Sequence, residues 1–233
     1  MLNKKAFTEY KDKHNGDHGV LFATGPSINK FSYNVIYSDT GSSQEKDKLI
    51  KAGVNYILQH SNIAPDLHYY FFGDGRKQKY LSQVPEYTPK IAKFAHTLAG
   101  GRSYGHNWHI SPKAAVSQYN AIPYEEAWDG GTKFVKDIAN EYIFGKCVSL
   151  RAIQFMLYTG LQRIYLVGCD ATHGLGGERL QWFGDEETTG VRNESKPWWN
   201  NLRKFIDTEY PGVEVISVNP IGLKNIMHRD IYV

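Results

Sequence analysis

The segment Gln162-Arg163-Ile164-Tyr165-Leu166-Val167-Gly168-Cys169-Asp170-Ala171-Thr172-His173-Gly174 carries the clearest structural signal in the chain. Its apolar run, Ile164 to Val167, begins and ends on a β-branched residue. Such a short run suits a strand buried on both faces, as in the middle of a parallel sheet. Gly168 ends the run, and Asp170 stands just beyond its carboxyl end. Upstream, residues 149–158 place Leu150, Ile153, Phe155, Met156 and Leu157 close to helical spacing, and Thr159-Gly160 supplies a stop. The order is therefore helix, tight turn, buried strand, and then a polar loop containing glycine. Open α/β sheets bind ligands beyond the carboxyl ends of their strands, so this loop is expected to border a site. An ordinary central strand without chemistry fits the same pattern.

The 233 residues suit a single domain, 1–233, or one domain with an insertion, at ~100–200 residues per domain. A net charge of +3, with Lys and Arg scattered, gives no stripe for nucleic acid. Aromatic residues make up 14%, with 16 Tyr and 5 Trp, which suits a carbohydrate or nucleotide site and equally a Tyr-rich surface. Cys147 and Cys169 make no disulfide framework, so a reducing cytoplasm is expected. The amino terminus is polar and charged, unlike a signal peptide. No apolar run approaches the ~20 residues that span a bilayer. The expectation is a soluble cytoplasmic protein with at most peripheral contact at the inner face of the membrane.

Residues 19–23 read as the first strand, and Thr24-Gly25-Pro26-Ser27-Ile28 follows at once. A small-residue turn at a strand end is where Rossmann-like sheets hold phosphate, although this is neither G-x-G-x-x-G nor a Walker loop. Residues 34–37 read as a short strand, and 52–58 as an apolar run interrupted by Asn55. Residues 68–72 form a β-prone run ending at Gly73-Asp74. Residues 90–98 fit helix or strand. Residues 133–140 suggest a helix, 197–210 a helix capped by Ser195 with a stripe of Trp198, Leu202, Phe205 and Ile206, and 213–218 the last strand. Residues 100–128 lack a clean period, and an irregular insertion or lid is expected over about 76–140. The fold class is thus α/β: a Rossmann-like, mostly parallel sheet with helices on both faces. Thr24, Asp74 and Asp170 all stand at carboxyl ends of expected strands.

His106, His109 and His173 lack the spacing of a zinc set, and no metal or cofactor is expected. No Gly-x-Ser-x-Gly elbow is present, and Cys147 and Cys169 read as packing residues.

These residues resemble a family. Gly25-Pro26-Ser27-Ile28 after a first strand is similar to the Gly-Asn-Gly-Pro-Ser-Leu start of the bacterial lipooligosaccharide sialyltransferases and of the MptE-like, motility-accessory-factor-related proteins. Gly53-Val54-Asn55-Tyr56 resembles their second nucleotide-contacting segment, and Tyr69 through Asp74 the third. Ser149 through Asp170 resembles their helix followed by Gly-Tyr-Lys-Glu-Ile-Tyr-Leu-Ser-Gly-Ile-Asp, and residues 195–219 their closing helix and strand. The resemblance implies a metal-independent transferase with a cytidine-activated sugar lying over the strand ends. It implies that Gly25, Pro26 and Ser27 hold the phosphate region and Asn55 the nucleoside, with Asp170 beside them. Asp74 stands where the family has an asparagine, Thr172 where it has a phosphate-binding tyrosine, and Glu194 where it has its catalytic histidine.

The leading expectation is a glycosyltransferase of surface polysaccharide or glycolipid assembly, with a nucleotide-sugar donor, a glycan or glycolipid acceptor, and His173 or Glu194 as base. An MptE-like pyrophosphokinase using ATP and a non-catalytic nucleotide- or sugar-binding module are the alternatives.

Overall fold

A computed structural model describes residues 6–41, 49–73, 90–98, 112–126, 133–173, 190–191 and 195–233. Ten strands are described: β1 (His18–Phe22), β2 (Ile50–Val54), β3 (Tyr69–Phe72), β4 (Ala92–Leu98), β5 (Ile122–Glu126), β6 (Arg163–Val167), β7 (Thr172–His173), β8 (Gly190–Val191), β9 (Glu214–Val218) and β10 (Arg229–Ile231). Helices of eight residues or more are α1 (Tyr33–Thr40), α2 (Pro112–Tyr119), α3 (Val148–Tyr158) and α4 (Lys196–Glu209).

Eight strands form one sheet in the order β10-β9-β6-β1-β2-β3-β4-β5, and every pairing is parallel. A parallel sheet must be covered on both faces, and two apolar clusters do this. Leu21, Tyr69, Phe71, Phe94, Leu166 and Val215 face α3 and α4. Val20, Phe22, Tyr70, Phe72, Tyr165 and Val167 face Ile36 of α1 and Ala115 of α2. The strand alternation sends adjacent residues to opposite cores. The expected α/β class with helices on both faces is thus the observed one.

Several elements differ from the sequence reading. Residues 34–37 lie in α1, not a strand: the Ser32 side chain accepts from the Asn34 amide at 3.3 Å, and Gly41 ends the helix at φ 71°. Residues 133–140 make turns, because Asp137 accepts from both the amide and the side chain of Asn140, a local bonding that competes with helix. The run at 90–98 is strand. Residues 213–218 are not the last strand, since β10 pairs outside β9. In α4, Trp199 is buried with Leu202 and Ile206, while Trp198 and Phe205 are only partly buried. Within the stretch about 76–140, β4, α2 and β5 extend the sheet; residues 74–89, 99–111 and 127–132 lie outside the described residues.

Phe94 is fully buried and packs against Phe71 at a ring-centroid distance of 4.7 Å and Phe155 at 4.8 Å. Phe94→Ala is expected to cost about 3–5 kcal/mol of stability in urea unfolding. A loss below about 1 kcal/mol would mean that the site collapses around the missing ring.

Candidate functional site

The chain lays down β2 to β5 on one side of β1, then crosses back to place β6 on the other. The carboxyl ends of β1 and β6 are therefore the topological switch point, where open α/β sheets leave a crevice. The backbones of the two loops meet there. Ala23 N–H donates to the Val167 carbonyl at 2.8 Å, and Gly25 N–H to the Gly168 carbonyl at 2.8 Å. Ser27 N–H donates to Asp170 Oδ2 at 2.7 Å, and Gly222 N–H, beyond β9, donates to the Asp170 carbonyl at 2.8 Å. One aspartate thus fastens the loops after β1, β6 and β9.

Two glycines are required for this closeness. A Cβ on Gly25 would lie 2.5 Å from Asp170 Oδ2 and 2.6 Å from the Gly168 carbonyl oxygen. Gly168 is at φ +70°, and a Cβ there would meet the Ala23 carbonyl at 2.6 Å. Left-handed backbone also occurs at Asn55 (φ 54°), Ala171 (φ 49°) and Asn219 (φ 48°), just beyond β2, β6 and β9. Such turns keep the chain tight against the strand ends; Ala171, with no side-chain oxygen to ease it, is the strained member.

Asp170 is 3% exposed. Burial raises its pKa above the ordinary 3.8, and its contacts with Ser27 oppose the rise. Asp170 Oδ1 and Ser27 Oγ are buried without a hydrogen-bond partner. The Ser27 amide is engaged by Asp170 and is not available to a ligand. The Cys169 thiol is held well above its usual pKa by desolvation and then by Cys147 and Asp170, which makes it a poor nucleophile.

The structure brings Gly25, Pro26, Ser27 and Asp170 together, and places Asn55 at the same end of the sheet, one strand away. The Asn55 carbonyl accepts from Tyr70 Oη at 2.5 Å, and Asn55 is partly exposed. Thr172 and His173 pair through their backbones with β8 in an antiparallel ribbon; their side chains, and Asp74, Glu194, His106 and His109, lie outside the described residues. A cavity of about 220 Å³ beside His18, Ile36, Tyr37, Thr40 and Leu49 lies at the amino end of the sheet, away from this crevice. It is smaller than the ~300–1,000 Å³ of typical ligand pockets. Among the described residues, no three His, Cys, Asp or Glu side chains gather as a metal set, and no helix is long and apolar enough to cross a membrane.

No family model and no curated protein matches the chain. Solved structures do. The sialyltransferase CstII from Campylobacter jejuni, in complex with the substrate analogue CMP-3FNeuAc, matches with a TM-score of 0.50 and 13% identity over 86% of this chain and 80% of that one. This chain shares the fold of that enzyme. The same enzyme with cytidine-5'-monophosphate aligns at a TM-score of 0.47 and 14% identity, over 87% of this chain and 81% of that one.

Sequence reasoning missed Gly168 and Gly222 as partners of the clasp.

Asp170→Asn keeps an oxygen for the Ser27 amide and removes a buried charge. A carboxyl whose native pKa is raised above 3.8 binds protons better folded than unfolded, so its contribution to stability falls as pH rises through that window. Wild type is therefore expected to lose stability relative to Asp170→Asn as pH rises above about 4 in urea unfolding. A difference that stays flat or runs the other way would show that Asp170 is not desolvated in solution.

Proposed function

We propose that this chain is a metal-independent glycosyltransferase. It moves a sugar from a nucleotide-activated donor, CMP-linked in the family it resembles, to an acceptor hydroxyl in surface polysaccharide or glycolipid assembly. The observation that carries this reading is the clasp at the switch point, where the Gly25-Pro26-Ser27 loop is strapped to Asp170. The fold shared with a sialyltransferase crystallised with CMP-3FNeuAc supports it.

In this reading Gly25, Pro26 and Ser27 border the donor phosphate, with Thr172 near it, and Asn55 and Asp74 border the nucleoside and sugar. The acceptor oxygen forms the new bond to the anomeric carbon while the bond to the nucleotide phosphate breaks. The phosphate leaves with the electron pair, and the hydroxyl proton goes to a base. His173 and Glu194 both lie on the excursion between Asp170 and α4. A histidine titrates at ~6.5 without help, whereas a glutamate at ~4.3 needs burial to reach the working pH.

The test measures nucleotide release from CMP- and UDP-sugars by the whole chain without divalent metal. His173→Ala or Glu194→Gln is expected to slow transfer ~10²–10⁴-fold while nucleotide binding persists. Wild-type rates in both variants would remove both bases. Binding of ATP with magnesium alone would turn the reading to a pyrophosphokinase, and binding without turnover to a non-catalytic module.

A further inference from the structure

Among the described residues, six that are not glycine have left-handed backbone: Asp12, Asn55, Asn120, Ala171, Asn219 and Asn225. All but one are Asn or Asp, whose side-chain oxygen can bond nearby backbone and ease that conformation. Ala171, at φ 49°, has no such oxygen. An outlier of this kind persists only where its surroundings fix it.

Two sets of bonds do so. On the amino side, the Asp170 carbonyl accepts from Gly222 N–H at 2.8 Å, and the Asp170 side chain accepts from Ser27 N–H at 2.7 Å. The residue before Ala171 is therefore fastened to the loops after β1 and β9. On the carboxyl side, Thr172 and His173 of β7 pair with Val191 and Gly190 of β8. Ala171 is the single residue between the clasp and this ribbon. Its backbone torsions therefore set the angle at which β7 leaves the end of β6. With right-handed or extended torsions the same residue would send β7 elsewhere and part it from β8. Ala171 is also partly buried against the apolar cluster that faces α3 and α4, so packing of its methyl group is the competing account.

We propose that Ala171 is a positioning residue: its left-handed backbone aims β7, and with it His173, at one angle to the switch point. This rests on the glycosyltransferase reading above, in which His173 is a candidate base. Ala171 acts through β7 and touches no reacting atom.

Three variants separate torsion from packing. Ala171→Val stays apolar, but a β-branched residue is strongly disfavoured in left-handed backbone. Ala171→Asn and Ala171→Gly suit that backbone and give up the methyl contact. The readouts are amide hydrogen exchange of β7 and β8 in the whole chain, and kcat and KM for a CMP-sugar, with circular dichroism as the check on folding. Ala171→Val is expected to speed exchange of the ribbon and to lower kcat, each about tenfold, at unchanged donor KM and with the Gly25 and Ser27 amides still protected. Ala171→Asn is expected to slow exchange of the ribbon severalfold and keep kcat, and Ala171→Gly to keep both. Faster exchange in Ala171→Gly and Ala171→Asn but not in Ala171→Val would assign the residue to packing and overturn the proposal. So would unchanged exchange in all three, or faster exchange in Ala171→Val with kcat untouched. If Ala171→Val does not fold, Ala171→Asn decides: slower exchange of the ribbon supports the proposal, and unchanged or faster exchange overturns it. If wild type turns over no nucleotide-sugar, the glycosyltransferase reading fails by itself, and exchange alone decides whether Ala171 aims β7.

Discussion

The bond from the Ser27 amide to Asp170 joins two loops 143 positions apart in sequence and sits at the one place where the sheet reverses its order of growth. The surrounding geometry follows from it. Gly25 and Gly168 must lack side chains because the loops approach within contact distance of each other's backbone. Asp170 in turn holds Gly222, so the loop after β9 is placed by the same residue. A carboxylate buried there is disfavoured by desolvation, and the amide it accepts offsets part of that cost. The switch-point loops are therefore held together by a polar contact within a largely apolar surround.

The two ends of the sheet are built differently. At the amino end Arg229 bonds Asp39 through both guanidinium nitrogens, Arg163 Nε lies 2.9 Å from Glu214 Oε2, and Tyr165 Oη donates to Asp39 Oδ2 at 2.7 Å. Arg229, first among its partners, lowers the Asp39 pKa. This network ties α1 to β6, β9 and β10. Among the described residues, the contacts at the switch point of the carboxyl end fall beside turns with left-handed residues. A rigid amino end lets the opposite edge carry strained turns and buried polar groups without loosening the sheet, which is how scaffolds commonly support sites.

Much of this was legible in the chain itself. The run Ile164 to Val167 and the helix before it gave the central strand and its direction, because a fully buried parallel strand tolerates little but apolar residues. Gly25-Pro26-Ser27 and Asp170 were legible as strand-end residues for the same reason. The errors fall where local signals conflict. Val35 and Ile36 are β-prone, yet a Ser32 cap and Gly41 make their segment helical. Phe134 and Ile138 are spaced for a helix, yet Asp137 bonds Asn140 locally and keeps the segment in turns.

The sequence by itself determined the class of fold, the direction of the strands and the end of the sheet at which a site can form, since these follow from periodicity and from glycine and proline at strand ends. Only the tertiary structure decided which strand ends are neighbours. It set β6 beside β1, so that Asp170 reaches Ser27. The reason is physical: strand order results from packing both faces of one sheet at once, and no local stretch of chain contains that information.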